Sequence, residues 1–210
     1  MAQFFAIHPT HPQARLVRRA AEIVRDGGLI AYPTDSCYAL GCLSSASGSL
    51  DRLRRIRDID ERHHLTVMCR DLSEVGHYAI VDNARFNLIK RVTPGSYTFI
   101  LPATRELPRR LIHPKRKTIG VRVPAHPVAL ALLAELDGPM LSATLILPGD
   151  AQPLADPQEI RARLEHDVDL VIDGGSCGTE PSTVIDLTAE TPLVLRKGKG
   201  SLAPFAVEAV

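Results

Sequence analysis

Short polar segments recur in this chain where apolar runs end: Tyr32-Pro33-Thr34-Asp35-Ser36, Thr118-Ile119-Gly120-Val121-Arg122-Val123-Pro124, Ser142-Ala143-Thr144, Pro181-Ser182-Thr183-Val184-Ile185-Asp186 and Leu195-Arg196-Lys197-Gly198. Hydroxyls both donate and accept hydrogen bonds, and a guanidinium grips a carboxylate or phosphate through parallel N–H groups. Taken singly, each hydroxyl is equally a turn or cap residue. Together, at the ends of several strands, they make a concave site with donors for a carboxylate and a phosphate, the usual ligand position on open α/β sheets.

Other chemistries lack their residues. Tyr32-Pro33-Thr34-Asp35 follows the first apolar strand where a dinucleotide fingerprint needs glycines. Arg196-Lys197-Gly198-Lys199-Gly200-Ser201 is phosphate-friendly, but it has neither the glycine spacing nor the following helix of a P-loop. No GxSxG, HExxH or Cys-His pairing appears in a recognisable context. His63-His64 reads as a loop-to-strand junction, since neighbours on an extended segment point in opposite directions and no Cys or carboxylate completes a metal set. Cys37, Cys42, Cys69 and Cys177 form no CxxC pair, which favours reduced thiols and a cytosolic setting.

The elements that position these segments follow from periodicity. Leu16, Val17, Ala20, Ile23 and Val24 share a helical face over 12–26, and Gly27-Gly28 supplies a left-handed stop. A strand at 29–32 follows, then a basic helix with Leu50, Leu53 and Ile56 every third residue. Further expectations are a strand at 65–69, helices at 71–77 and 82–91, strands at 97–101 and 118–123, and a helix opened by Pro124-Ala125-His126-Pro127. A strand at 140–147 and a helix from Asp156-Pro157 to about 165 come next. Strands at 169–172, 184–187 and 193–195 end the series. The pattern predicts an α/β fold: one mixed, twisted sheet with packed helices and antiparallel additions at one edge.

A length of 210 residues, 45% hydrophobic residues and no Trp suit one domain over 1–210 with an aliphatic core at about 5–205. The low aromatic content argues against a stacking platform for single strands. The first residues have no basic region ahead of a long apolar stretch, and nowhere do eighteen apolar residues run together, so a soluble, cytoplasmic protein without membrane contact is expected. Net charge is +1, but basic residues outnumber acidic ones from Arg52 to Lys117, whereas only Arg161 and Arg163 offset the carboxylates between Asp150 and Glu190. That asymmetry predicts one electropositive face.

YPTDS, TPGSYTF, TIGVRVPAHP, PSTVID and LRKG occur in the order and at the intervals found in the YrdC/YciO family, which the chain resembles over about 5–205. FFAIHP, CRDLSEV, YTFILP, RKTIGVRVP and PMLS resemble the YciO branch of that family. The resemblance implies a YrdC/RibB-like open sheet with a positively charged concave surface. It also implies synthesis of threonylcarbamoyl-AMP and pyrophosphate from L-threonine, bicarbonate and ATP, for modification of the adenosine beside the tRNA anticodon. By motif position, Thr34, Ser36, Arg122 and Ser182 would hold threonine, Ser142 would line the junction, and Arg57, Thr118, Thr144 and Arg196 would face the nucleotide. Mg2+ would accompany ATP as a substrate, with no dedicated protein metal site.

The chain departs from the synthase pattern at three places. Arg57 and Ile59 stand at the KxR motif, Thr144-Leu145-Ile146 at SxN, and Met68 where a histidine follows KxR. Weak or altered activity is therefore expected, and two alternatives stay open: a related adenylate-forming enzyme with another substrate, or a protein that binds tRNA or double-stranded RNA through a degenerate site. For the latter, Arg52, Arg54, Arg55 and Arg57 on one exposed helix side and Lys115, Arg116 and Lys117 before a strand are the candidate phosphate contacts, provided that both borders face the cleft.

Overall fold

The computed structural model describes residues 1–205. Ten strands form one mixed sheet: β1 (Gln3–Ala6), β2 (Ile30–Tyr32), β3 (Ala39–Leu43), β4 (Thr66–Met68), β5 (Tyr97–Pro102), β6 (Thr118–Arg122), β7 (Met140–Thr144), β8 (Leu170–Asp173), β9 (Thr183–Asp186) and β10 (Leu193–Arg196), in the order β1-β8-β2-β3-β7-β4-β6-β5-β9-β10. Six helices accompany them: α1 (Ala14–Arg25), α2 (Ser47–Arg57), α3 (Leu72–Tyr78), α4 (Asn83–Lys90), α5 (Pro127–Glu135) and α6 (Pro157–Leu164). No helix among the described residues is long and apolar enough to cross a membrane.

Local chemistry accounts for the helix ends. Asp156 accepts hydrogen bonds from the Gln158 and Glu159 amides, and Pro157 occupies the first helical position, where its missing N–H costs nothing. Asp71 and Asp82 cap α3 and α4 in the same way. After α1 the chain leaves the helix through Gly27 at φ 87°, a conformation that suits glycine.

Periodicity does not reveal β1 or β3. β1 is short and half-exposed, and β3 carries Gly41 at its centre, which breaks the apolar run. The glycine is a packing requirement: a Cβ there would lie 2.8 Å from the Tyr32 ring on the neighbouring strand. β7 ends at Thr144 instead of reaching 147, because Leu145 leaves the ladder to bond the Tyr38 carbonyl. The expected antiparallel edge is present as β10 on β9, whereas β8 lies between β1 and β2 and pairs parallel with both.

The two faces of the sheet are covered unequally. Apolar residues of α2, α3, α4 and α6 pack against Val67, Phe99, Val121, Leu141 and Ile185 in one large core. On the opposite face only α1 and α5 supply a second core, and they cover β8, β2 and β3 together with Met68 and Met140. The same face of β7, β4, β6 and β5 is left without a helix among the described residues. Ser142, Thr66, Gly120 and Ile100 lie side by side across it by register, with side chains opposite to those of the large core.

Adjacent residues of β7 therefore face different environments. Leu141→Ala should cost about 2–5 kcal/mol through lost burial and a cavity, and Ser142→Ala only about 1 kcal/mol through its bond to Tyr32. Urea unfolding of the two variants checks the ranking.

Candidate active site

A cavity of about 260 Å³ occupies the helix-free part of the sheet face. The alternation of strand side chains builds its floor from Thr66 and Met68 of β4, Thr98 and Ile100 of β5, Ser142 and Thr144 of β7, and Val184 of β9. Thr34, Arg122, Ser182 and Arg196 complete the polar wall. Of the residues expected at the site, Thr34, Arg122, Ser142, Thr144, Ser182 and Arg196 thus line one cavity. The cavity spans the face of the strands and not only their ends.

Three expected residues stand elsewhere. Ser36 is fully buried behind the wall, where its hydroxyl accepts a hydrogen bond from Arg122 at 3.1 Å. Thr118 is buried beneath His64, with 2.9 Å between its hydroxyl and Nε2. Arg57 does not line the cavity: Asp58 closes α2 in the left-handed conformation, and the Arg57 guanidinium donates to the Ile146 carbonyl. Ile59 packs against the large core, and Met68 is buried in the smaller one.

Arg122 organises the wall. Its Nη2 donates to Asp35 Oδ1 at 2.8 Å as well as to Ser36. Asp35 also accepts from the Ala125 amide at 3.1 Å and from the Ser96 hydroxyl at 2.6 Å. Burial alone would raise the Asp35 carboxyl, but Arg122, Ser96 and Ala125 together hold it below the ordinary aspartate value. Arg122 keeps its Nε buried and without a partner. Across the cavity, Arg196 donates through Nε and Nη2 to the Ser182 carbonyl at 3.1 and 2.9 Å, and the Ser182 and Thr98 hydroxyls lie 2.9 Å apart. Gly198 allows this approach, since a Cβ there would meet the Pro181 carbonyl at 2.2 Å.

Cations dominate the site. Burial lowers the pKa of both Arg57 and Arg196; the charge of Arg196 adds to it for Arg57 and that of Arg122 for Arg196. Asp35 is already engaged by Arg122, so positive charge in the cavity is incompletely balanced. Burial pushes the Cys37 thiol up, which makes a thiolate nucleophile unfavourable there.

Periodicity and motif reading miss several lining residues. Arg62, His63 and His64 all face the cavity, because 61–63 form a turn and bend before β4 and not an extended strand. Asp35 lies within a quoted motif, but its partner is 87 residues away. Neither basic segment lines the cavity. Arg52 pairs with Asp169, and Arg54 reaches the Arg110 carbonyl beside α2, which packs into the large core on the other face; Arg55 is exposed on the same helix. Lys115, Arg116 and Lys117 form a separate exposed turn before β6.

The Sua5/YciO/YrdC family model, described as telomere recombination, matches residues 22–198. The chain belongs to this family. It is 56% identical to Escherichia coli YciO over 98% of its own length and 100% of that protein, and the E. coli YciO crystal structure superposes with a TM-score of 0.95. A threonylcarbamoyl-AMP synthase from Chromobacterium violaceum is 35% identical, over 90% of this chain and 96% of the enzyme. P. abyssi Sua5, solved in complex with L-threonine, has a TM-score of 0.84 at 26% identity over 93% of this chain and 57% of the longer Sua5 chain.

Asp35→Asn should destabilise the protein by about 2–3 kcal/mol near neutral pH, since it weakens a charge-assisted bond to a buried guanidinium. Because the Asp35 pKa is depressed on folding, that difference should be full above the ordinary aspartate pKa and shrink as pH falls through the folded value. Urea titrations of both proteins at pH 7 and pH 3 test the sign.

Proposed function

We propose that the cavity binds L-threonine and ATP side by side and forms threonylcarbamoyl-AMP. Bicarbonate condenses with the threonine amine to give N-carboxythreonine and water. A carbamate oxygen then attacks the α-phosphorus of ATP, the bond to the β-phosphate bridging oxygen breaks, and pyrophosphate leaves with that electron pair. The protein need supply no nucleophile; catalysis consists of alignment and neutralisation of charge.

The observation that carries this reading is the helix-free sheet face, whose hydroxyls lie between two arginines in a cavity with little compensating negative charge. Arg122, held by Asp35 and Ser36, meets the threonine carboxylate, with Thr34 and Ser182 nearby. Thr144 and Arg196 face the nucleotide, and Ser142, fixed by Tyr32 at 2.8 Å, lines the junction. Ser36 and Thr118 act from behind the wall as positioning residues. Mg2+ arrives on the triphosphate as part of the substrate. Similarity to threonylcarbamoyl-AMP synthases and to threonine-bound Sua5 supports the assignment.

The nucleotide end differs from that of the synthases in ways that slow turnover. Arg57 is spent on a backbone carbonyl, and positions 59 and 146 are isoleucine. A missing electrostatic donor costs roughly 10²–10³ in rate. Threonine-dependent pyrophosphate release should therefore be measurable but slow. No release with threonine at any enzyme concentration, or faster release with a different amino acid, would overturn threonine as the substrate.

A further inference from the structure

The turn before β4 brings an arginine and two histidines to the cavity that the reaction outlined above does not use. Arg62, His63 and His64 all line the cavity. The cluster is built and not incidental. The His64 ring is held by Thr118 and stacks on His113, with centroids 4.7 Å apart and planes 24° apart. His113 is itself fixed within a tight loop: its amide donates to the Thr118 carbonyl at 2.9 Å, the Lys117 amide returns to the His113 carbonyl at 3.0 Å, and its Nδ1 accepts from the Arg116 amide at 3.1 Å. A buried hydroxyl and two stacked rings thus orient this turn toward the cavity.

We propose that Arg62, His63 and His64 form an anion subsite for the pyrophosphate end of a nucleoside triphosphate, taking over the charge neutralisation that Arg57 and Ile59 do not provide. This rests on the cavity binding ATP. Arg57 and Arg196 lie near His63, which puts the cluster at the nucleotide end and not beside Asp35 and Arg122.

Charge around the two imidazoles supports a phosphate ligand. Partial enclosure at the cavity wall and the charges of Arg57 and Arg196 lower the His63 pKa from its ordinary value, against the opposing charge of Asp60. Partial burial, His113, Arg116 and His63 lower the His64 pKa, against Asp186. A bound polyanion reverses that balance and stabilises imidazolium, so binding takes up a proton and affinity gains as pH falls.

Calorimetric titration with inorganic pyrophosphate, run in parallel with ATP plus threonine at pH 8.0 and pH 6.5 on full-length protein, tests the subsite. Protonation of pyrophosphate itself is cancelled by comparing wild type with His63→Gln over the same pH range. Wild type should gain at least about fivefold in affinity over that variant as pH falls, with net proton uptake measured in buffers of different ionisation heat. Arg62→Gln should weaken binding at least about tenfold at both pH values and leave the pH dependence intact. His63→Lys should bind at pH 8.0 as tightly as wild type at pH 6.5. If ATP binds normally while pyrophosphate affinity and its pH dependence are the same in wild type, His63→Gln and Arg62→Gln, the subsite is wrong and the adenylating cavity stands. If neither ATP nor pyrophosphate binds wild type, both readings fall.

Discussion

The ion pair between Asp35 and Arg122 joins the parts of the fold that make the cavity. Asp35 belongs to the loop that leaves β2, Arg122 ends β6, and the same carboxylate gathers the Ser96 hydroxyl before β5 and the Ala125 amide before α5. An arginine so little exposed carries a large desolvation cost unless its charge is met. Asp35 meets one edge of the guanidinium and leaves Nε without a partner, so Arg122 is held in place yet keeps unspent donor capacity. The backbone oxygen of Asp35 also accepts from Lys199 at 2.5 Å, which ties the segment after β10 to the same point.

Unequal covering of the sheet explains why the site is there. α1 and α5 bury Val17, Ala21, Val24, Val128, Leu132 and Leu133 over one half of a face and no helix continues over the other half. Strand residues on that bare half must be compatible with water or a ligand, which is why hydroxyls alternate with buried aliphatic residues along β7. A sheet buried on both faces would show unbroken apolar runs. The alternation was visible in Ser142-Ala143-Thr144, and its meaning depends on the absence of a helix that only the tertiary structure reveals.

Helix ends were legible because capping is local: Asp156-Pro157, Asp82 and the glycines after α1 act within a few residues of themselves. β3 was hidden by Gly41, whose place is set by the Tyr32 ring on another strand. The motifs identified most of the polar wall, but they could not separate a hydroxyl that faces the cavity from one that holds another side chain, as Ser36 holds Arg122 and Thr118 holds His64. Arg57 was expected to face a phosphate; its direction is decided by the Ile146 carbonyl, 89 residues away. The turn that presents His63 and His64 carries no periodic signal.

The proposed reaction joins a carbamoylated amino acid to AMP by charge and alignment, with Arg122 at the amino-acid end. Exchange of radiolabel between pyrophosphate and ATP reports that step directly, since label enters ATP only if the adenylate forms and reverses. The account predicts exchange that requires both L-threonine and bicarbonate and falls at least about tenfold at subsaturating threonine in Arg122→Ala, through the loss of a charged bond to the carboxylate. Exchange that is absent in folded wild-type protein, or that proceeds equally without threonine, would contradict it.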